Sequence, residues 1–256
     1  MTPLVIIPAR YGSSRLPGKP LVPITSRGGV SRPLIEWSWR AAVAAVGEDA
    51  VIVATDDDRI AALVSGFGGR SVMTSLELRN GTERCAAAVR QLGLTPDVVV
   101  NFQGDNPLVP AAHVAALISA FERPDVAVAT PYITCDEALA GLILGEHAAG
   151  RVGGTCVVIR QDGKAAYFSK WPIPHGANPA IPLKLHIGLY AYSRSALEAY
   201  AAMPASPLEL AEGLEQLRFL DAGWPIEMIA VEAPREGIWE VNNPQDVALV
   251  AQRLTD

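Results

Sequence analysis

Three fixed cations follow the first apolar run of the chain. Residues 6–21 read IIPARYGSSRLPGKPL, and Arg10, Arg15 and Lys19 arrive at four- to five-residue spacing among glycine, serine and proline. Arginine pairs bidentately with phosphate oxygens, and lysine supplies a point charge. Gly12 and Gly18 allow the backbone to come close to a bound group, and free N–H groups at the start of a following helix can cradle phosphate. The stretch matches neither GxxxxGK[ST] nor GxGxxG, so it is not one of the common nucleotide loops. The alternative is a basic surface turn, which accounts poorly for three cations placed directly after a strand. The loop therefore reads as an anion site suited to phosphates.

A carboxylate sits where such a site needs one. In VNFQGDNPLVP (100–110), Asp105 follows a strand and a glycine, and Pro107 and Pro110 stiffen the exit. Magnesium prefers oxygen ligands and shares them with substrate phosphates, so Asp105 facing the basic loop is a candidate ligand; alone it would be a turn-initiating Asp. In ATDDDRI (54–60), Asp56 or Asp57 reads chiefly as a helix cap. NGTERC (80–85) offers Asn80 or Thr82 to a base or ribose, and alone it too would be a cap. His186 and Tyr190 lie four residues apart on one face of a strand, where a lone histidine is more often structural. Glu215 and Gln216 fall on a predicted helix, for which a solvated face is the default. No Ser/His/Asp or Cys/His arrangement suggests a covalent nucleophile.

The elements that must position these residues alternate. Short β-branched runs at 4–9, 50–56, 97–105 and 126–133 are separated by helical patterns at 33–46, 58–68, 81–93 and 111–122. That alternation predicts βαβ units and a mostly parallel sheet, with ligands beyond the carboxyl ends of the strands. The clusters at Arg10, Asp56 and Gln103–Asp105 should then converge. The second half changes character: a hairpin over 154–170 turning at Gln161–Gly163, a strand at 184–193, a helix after it, a second helix over 207–223, a strand at 225–232 and a capped helix from Asn243. It reads as a smaller β-rich lobe of one domain. Residues 1–130 form the nucleotide-binding half, and 131–256 the acceptor-binding and dimerisation half.

Bulk composition excludes several classes. The net charge of −6 argues against a protein that coats nucleic acid or a basic membrane surface. No stretch approaches the length of a membrane span, and no charged-then-apolar leader pattern opens the chain, which predicts a cytoplasmic protein. Cys85, Cys135 and Cys156 are odd in number and far apart, which suits buried small side chains better than disulfides or zinc.

Taken together, IPARYGSSRLPGKPL, VIVATDDDRI, NGTERCAAAV, VNFQGDNPLVP, AAYFSKWPIP, HIGLYAYSRSAL and LEQLRFLDAGWPI resemble, in this order and over nearly the whole chain, the 3-deoxy-manno-octulosonate (KDO) cytidylyltransferase family. The resemblance implies an α/β nucleotidyltransferase fold, Rossmann-like, a homodimer, CTP and Mg²⁺ as requirements, and pyrophosphate as a product. It assigns Arg10, Arg15 and Lys19 to the CTP phosphates, with Ala9 and Ser14 in the same set. It places Asn80, Gly81, Thr82 and Arg84 near the nucleotide and Asp105 on magnesium. Gln103, His186, Tyr190, Glu215 and Gln216 fall around the acceptor.

Three departures stand beside it. The family pattern G-D-E-P is Gly104-Asp105-Asn106-Pro107 in this chain, and V-D-T-P-E-D is Val241-Asn242-Asn243-Pro244-Gln245-Asp246. The second metal carboxylate thus falls on Asn242, whose amide oxygen brings no charge; Glu240 or Asp246 is positioned to compensate. The segment 22–37 is longer than usual and adds Arg27 and Arg32. Lost negative charge on the acceptor side suits a small phosphonate such as phosphonoformate as well as KDO. Two other classes remain open: a CTP-binding paralogue without catalysis, which would release no pyrophosphate, and a sugar-1-phosphate nucleotidyltransferase, which would differ in nucleotide preference.

Overall fold

The computed structural model describes residues 1–12, 16–234, 237 and 240–255. In chain order the elements are β1 (Pro3–Ala9), a short hairpin of β2 (Pro23–Thr25) and β3 (Ser31–Pro33), α1 (Leu34–Val46), β4 (Val51–Thr55), α2 (Asp58–Gly66) and β5 (Arg70–Met73). Then follow α3 (Gly81–Leu92), β6 (Val98–Phe102), α4 (Ala111–Ala120), β7 (Val128–Thr134) and α5 (Glu137–Ala148). The chain continues through β8 (Cys156–Ile159), β9 (Ala165–Ser169), β10 (Lys184–His186), β11 (Leu189–Ser193) and α6 (Arg194–Ala202). It closes with α7 (Pro207–Glu212), α8 (Leu217–Asp221), β12 (Glu227–Ala230) and α9 (Pro244–Ala251).

The four first-half strands and four helices read from periodicity are all present, within a few residues at their ends. Val5, Ile6 and Ile7 on β1 are fully buried, as are all five residues of both β4 and β6. Strands covered on both faces read as continuous apolar runs, which is why the runs were visible in the sequence. β5 and α5 carry no such signal. β5 is an edge strand with one buried residue, and α5 buries only Ile143.

One ten-stranded sheet runs β5-β4-β1-β6-β11-β7-β10-β8-β9, with β12 on the other edge of β7; β2 and β3 form a separate small antiparallel sheet. β1 pairs in parallel with β4 on one side and β6 on the other, and β12 runs parallel to β7. β11 is inserted antiparallel between β6 and β7. The β-rich second half therefore continues the main sheet, and its β8–β9 hairpin extends the far edge. That hairpin turns as expected, at a Gly163 with φ of +82°.

The strand expected over 184–193 breaks at Ile187–Gly188. Its first part pairs with β7 and β8, and its second with β6 and β7. The helix expected over 207–223 is interrupted at Gly213, whose φ of +63° ends α7; Glu215 precedes α8, and Gln216 stands at its N-cap position without a side-chain capping bond. α9 opens with the expected cap, a box in which Asn243 and Asp246 satisfy each other's backbone N–H groups. Trp37 and Trp39 are buried at 6% and 5% exposure, so both belong to the core and neither is available to a dimer interface. The three cysteines are buried and free, and burial pushes each thiol up.

α3 is locked to α7 and α8 by Arg218, a fully buried guanidinium. It reaches Glu209 with two contacts of 2.6 Å and Glu83 at 2.9 Å, and it stacks over the Tyr200 ring at 4.1 Å. Burial works to raise the Glu83 carboxyl, but hydrogen bonds from Arg79 and Arg218 outweigh it and hold the group below its ordinary value. Removing the cation leaves buried carboxylates facing one another. Arg218→Ala should therefore cost about 3–5 kcal/mol of unfolding free energy, measured by urea titration at neutral pH. Glu83 contributes stability present above its unfolded pKa and lost on acidification, so the penalty should shrink as the pH falls toward 4, near that value.

Candidate functional site

The parallel register decides where the chemistry collects. Ala9 on β1 lies opposite Thr55 on β4, and Ile6 lies opposite Asn101 on β6, so the residues leaving the three carboxyl ends are neighbours. They form a cavity of about 290 Å³ lined by Ala9, Arg10, Lys19, Gly81, Arg84, Gln103, Gly104 and Asp105, with Pro8, Gly12 and Pro20 at its margins. Lys19 is presented by a short 3₁₀ turn. Gly18 starts that turn at φ +69°, where a Cβ would press on the Tyr11 ring at 3.2 Å. Gly81 opens α3 against Pro8 and Asn101, and a Cβ there would lie 3.2 Å and 3.1 Å from them. Its absence lets the helix N-terminus reach the cavity wall.

Charge is held in pairs. Lys19 Nζ lies 2.5 Å from Asp105 Oδ2, with both side chains largely enclosed. Arg84, fully buried, binds Asp56 Oδ2 through Nη2 at 2.9 Å and Thr74 Oγ1 through Nη1. Burial works against the Arg84 charge and the Asp56 carboxylate supports it, with the net shift downward. Asp56 also accepts from Tyr11 N at 3.1 Å and lies 3.7 Å from Arg10 Nε. Of the two residues read as possible caps, Asp57 takes that role by accepting from Arg59 N, and Asp56 fixes the start of the basic loop from below. No sequence pattern links Asp56 to Tyr11 and Arg84, because the three meet only through strand register.

Of the nucleotide candidates, Ala9, Arg10, Lys19, Gly81 and Arg84 line the cavity together. Ser14 and Arg15 lie outside the described residues. Asn80 and Thr82 do not line it. Asn80 caps α3 through Glu83 N and donates to Tyr200 Oη at 2.8 Å, while Thr82 is fully buried against Tyr192 Oη at 2.8 Å. Both face the packing side of the helix.

Of the acceptor candidates, only Gln103 lines the cavity. His186, Tyr190, Glu215 and Gln216 form a connected layer behind it, brought there because β11 runs opposite to β6 and sets Tyr190 against Asn101. Tyr190 Oη donates to Gln216 Oε1 at 3.0 Å, and the His186 and Tyr190 rings are 5.4 Å apart. His186 Nε2 meets Thr130 Oγ1 at 2.8 Å, and burial pushes the imidazole down to about 3, which leaves it neutral near pH 7. Glu215 accepts from Thr82 N at 3.2 Å, and burial raises its carboxyl. Gln216 Nε2 is a buried donor with no partner among the described residues, a group whose isolation costs about 1–3 kcal/mol until something accepts from it.

Asn242 lies beside this cavity rather than in its lining. Val241 N donates to Asp105 O at 2.8 Å, which ties the segment to the end of β6, and Asn242 Nδ2 donates to Glu240 Oε2 at 3.3 Å. Asp246 is committed to the α9 cap, where Oδ2 accepts from Asn242 N and Asn243 N. Among the described residues no group of three or more His, Cys, Asp or Glu could hold a metal by itself. That is compatible with magnesium, which keeps several waters and takes one or two carboxylates together with substrate phosphates.

Comparison with known proteins gives one consistent picture. Residues 4–229 match the profile of the cytidylyltransferase family. The chain is 41% identical over 253 residues to the 3-deoxy-manno-octulosonate cytidylyltransferase of Maricaulis maris, covering 98% of this chain and 96% of that one. It is 42% identical over 258 residues to the 8-amino-3,8-dideoxy-manno-octulosonate cytidylyltransferase of Shewanella baltica (strain OS155), covering 99% of both. Among solved structures, a CMP:2-keto-3-deoxy-manno-octonic acid synthetase complexed with CTP superposes with a TM-score of 0.83 at 35% identity, over 99% of this chain and all of that one.

The Asp56 hub can be tested directly. Asp56→Asn keeps the shape but leaves Arg84 without its counter-charge and loosens the anchor on Tyr11. Nucleoside-triphosphate affinity should fall roughly tenfold, the equivalent of about 1.4 kcal/mol. The measurement is calorimetric titration at a temperature where circular dichroism shows the variant folded.

Proposed function

The chain belongs to the cytidylyltransferase family, and from that membership we propose that it transfers CMP from CTP to a 3-deoxy-octulosonate sugar acid, bearing either a hydroxyl or an amino group at its far end, with release of pyrophosphate. The observation that carries this reading is the convergence of Arg10, Lys19, Arg84 and Asp105 on one cavity beyond the carboxyl ends of β1 and β6. A triphosphate needs that density of positive charge, and Asp105 would hold a divalent metal ion, which would supply further neutralisation of the phosphates.

An acceptor oxygen attacks the α-phosphorus in line. The new P–O bond forms as the bond to the bridging oxygen breaks, and pyrophosphate leaves. Such transfers depend on positioning and on neutralising charge on the leaving group, so no nucleophilic side chain is required. Arg10 and Lys19 hold phosphate oxygens, and Arg84 with the N-terminus of α3 supports them from the wall. Asp105 is the ligand we assign to Mg²⁺, with Asn242 and Glu240 adjacent; the ion, when bound, shields the phosphate charge. The acceptor enters beside Gln103, the one acceptor candidate that lines the cavity, with His186, Tyr190 and Gln216 packed behind it. The choice of a sugar acid over a phosphonate is supported by the relatives, which are named for 3-deoxy-manno-octulosonate and its 8-amino-3,8-dideoxy form. The reaction draws on cytoplasmic CTP, and among the described residues no helix is long and apolar enough to cross a membrane.

We also propose a homodimer built on the second half. α5 exposes Leu142 and Leu144 at 53% and 46%, and Trp171, 64% exposed, packs its edge on His147 at 4.1 Å. Trp171→Glu should shift the sedimentation coefficient toward the monomer; an unchanged value would remove this face from the interface.

The deciding assay measures pyrophosphate release with CTP and Mg²⁺ against KDO, its 8-amino analogue and phosphonoformate. Release with either sugar acid supports the reading, and release with phosphonoformate alone replaces the acceptor. CTP binding without release for any acceptor favours a binding-only protein. Asp105→Ala should abolish turnover while leaving the circular dichroism spectrum intact.

A further inference from the structure

The two groups at the cavity that the reaction most needs are each other's partner. Lys19 Nζ and Asp105 Oδ2 are 2.5 Å apart, with side chains only 16% and 23% exposed. Neither is free to drift. Lys19 is held in the turn after Gly18, and Asp105 is held by the Val241 N–H on its carbonyl. The other buried cation of the wall, Arg84, is occupied by Asp56 at 2.9 Å, and Arg10 lies 3.7 Å from the same carboxylate. An ion pair screened from water this way attracts more strongly than one on an open surface.

We propose that Lys19 and Asp105 mask one another, so that the ligand of this site is the divalent-cation complex of the nucleoside triphosphate and neither part alone. The inference rests on the nucleotide reading given above. A cation approaching Asp105 alone must displace the Lys19 ammonium and leave it without a counter-charge. A triphosphate approaching Lys19 alone must draw it from Asp105 and then face a bare carboxylate. When the two arrive together, the metal takes Asp105, the phosphates take Lys19, and no charge is left exposed. Each partner therefore tightens the other by the same factor, because binding couplings are reciprocal.

The masking has a consequence opposite to what a plain ligand role would give. Asp105→Asn, which removes the metal carboxylate, should bind CTP more tightly than the wild type when EDTA removes all metal. The expected gain is on the order of five- to tenfold. Lys19→Met should bind Mn²⁺ alone more tightly by a similar factor. A gain for Asp105→Asn could also come from the simple loss of a negative charge near the phosphates, so the double variant decides. If the gain works by releasing Lys19, it disappears in the Lys19→Met background; if it is a general field effect, it persists there.

The experiment is calorimetric titration of CTP in EDTA into the wild type, both single variants and the double variant, together with Mn²⁺ titration without nucleotide. Tighter CTP binding by Asp105→Asn that vanishes in the double variant, with tighter Mn²⁺ binding by Lys19→Met, is the expected result. Equal or weaker CTP binding by Asp105→Asn, or a gain that survives in the double variant, overturns the masking. A wild type that binds no CTP even with Mg²⁺ overturns the nucleotide reading itself and the masking with it.

Discussion

Everything at the cavity depends on the parallel pairing of β1 with β4 on one edge and β6 on the other. The register sets Ala9 beside Thr55 and brings the end of β6 alongside, so three loops distant in sequence leave the sheet at one place. A slip of one residue in either ladder would turn over the buried set of a strand and displace the loop that carries Arg10, Asp56 or Asp105 from its end. That register is secured by burial: β1, β4 and β6 are packed on both faces, and Val5, Ile6, Ile7 and Val53 have no exposed surface. The apolar core thus fixes the geometry of the charges.

The charges are arranged by depth. Arg84 and Asp56 are buried as a pair beneath the loop, where they hold backbone; Lys19 and Asp105 are enclosed at the cavity; Arg10, at 42% side-chain exposure, is the most open of the described cations that line the cavity. Deep pairs are costly to break and so serve as structure, while shallower ones can exchange partners. The same gradient runs through the residues expected around the acceptor. His186 and Tyr190 are buried and neutral, and Gln103 alone reaches the cavity.

Much of this was legible in the sequence because it depends on local pattern. The four parallel strands announced themselves as unbroken apolar runs, Arg10 and Lys19 by their position after the first of them, and Asp105 by the glycine before it. What was not legible depends on side-chain direction and on contacts between distant segments. Asn80 and Thr82 have the residue types of a nucleotide contact, yet the helix they open turns both toward packing. Asp56 has the residue type of a cap, yet the adjacent Asp57 takes that role and frees Asp56 for Arg84 and Tyr11. His186, Tyr190 and Gln216 form one layer through a ring contact and a hydrogen bond, but burial sets them behind the cavity. β5 and α5 escaped notice because an edge strand and a surface helix bury too little to leave a periodic signature.

The departure at Asn242 also changes meaning in three dimensions. Read along the sequence, an amide in place of a carboxylate removes one negative charge from the acceptor side. In the structure the Asn242 amide donates to Glu240 Oε2, and the Val241 N–H holds both beside the end of β6. Glu240 approaches Gly188 closely enough that a Cβ there would lie 3.2 Å from its Oε1, with Gln103 on the other side. A carboxylate two residues earlier in the chain, Glu240, thus lies beside the Asn242 amide and near Gln103. A negative charge is therefore present beside Asn242, which removes the ground for expecting an unusually anionic acceptor. Asp246, the other residue positioned to compensate, is excluded by its commitment to the α9 cap, so the charge at this wall belongs to Glu240.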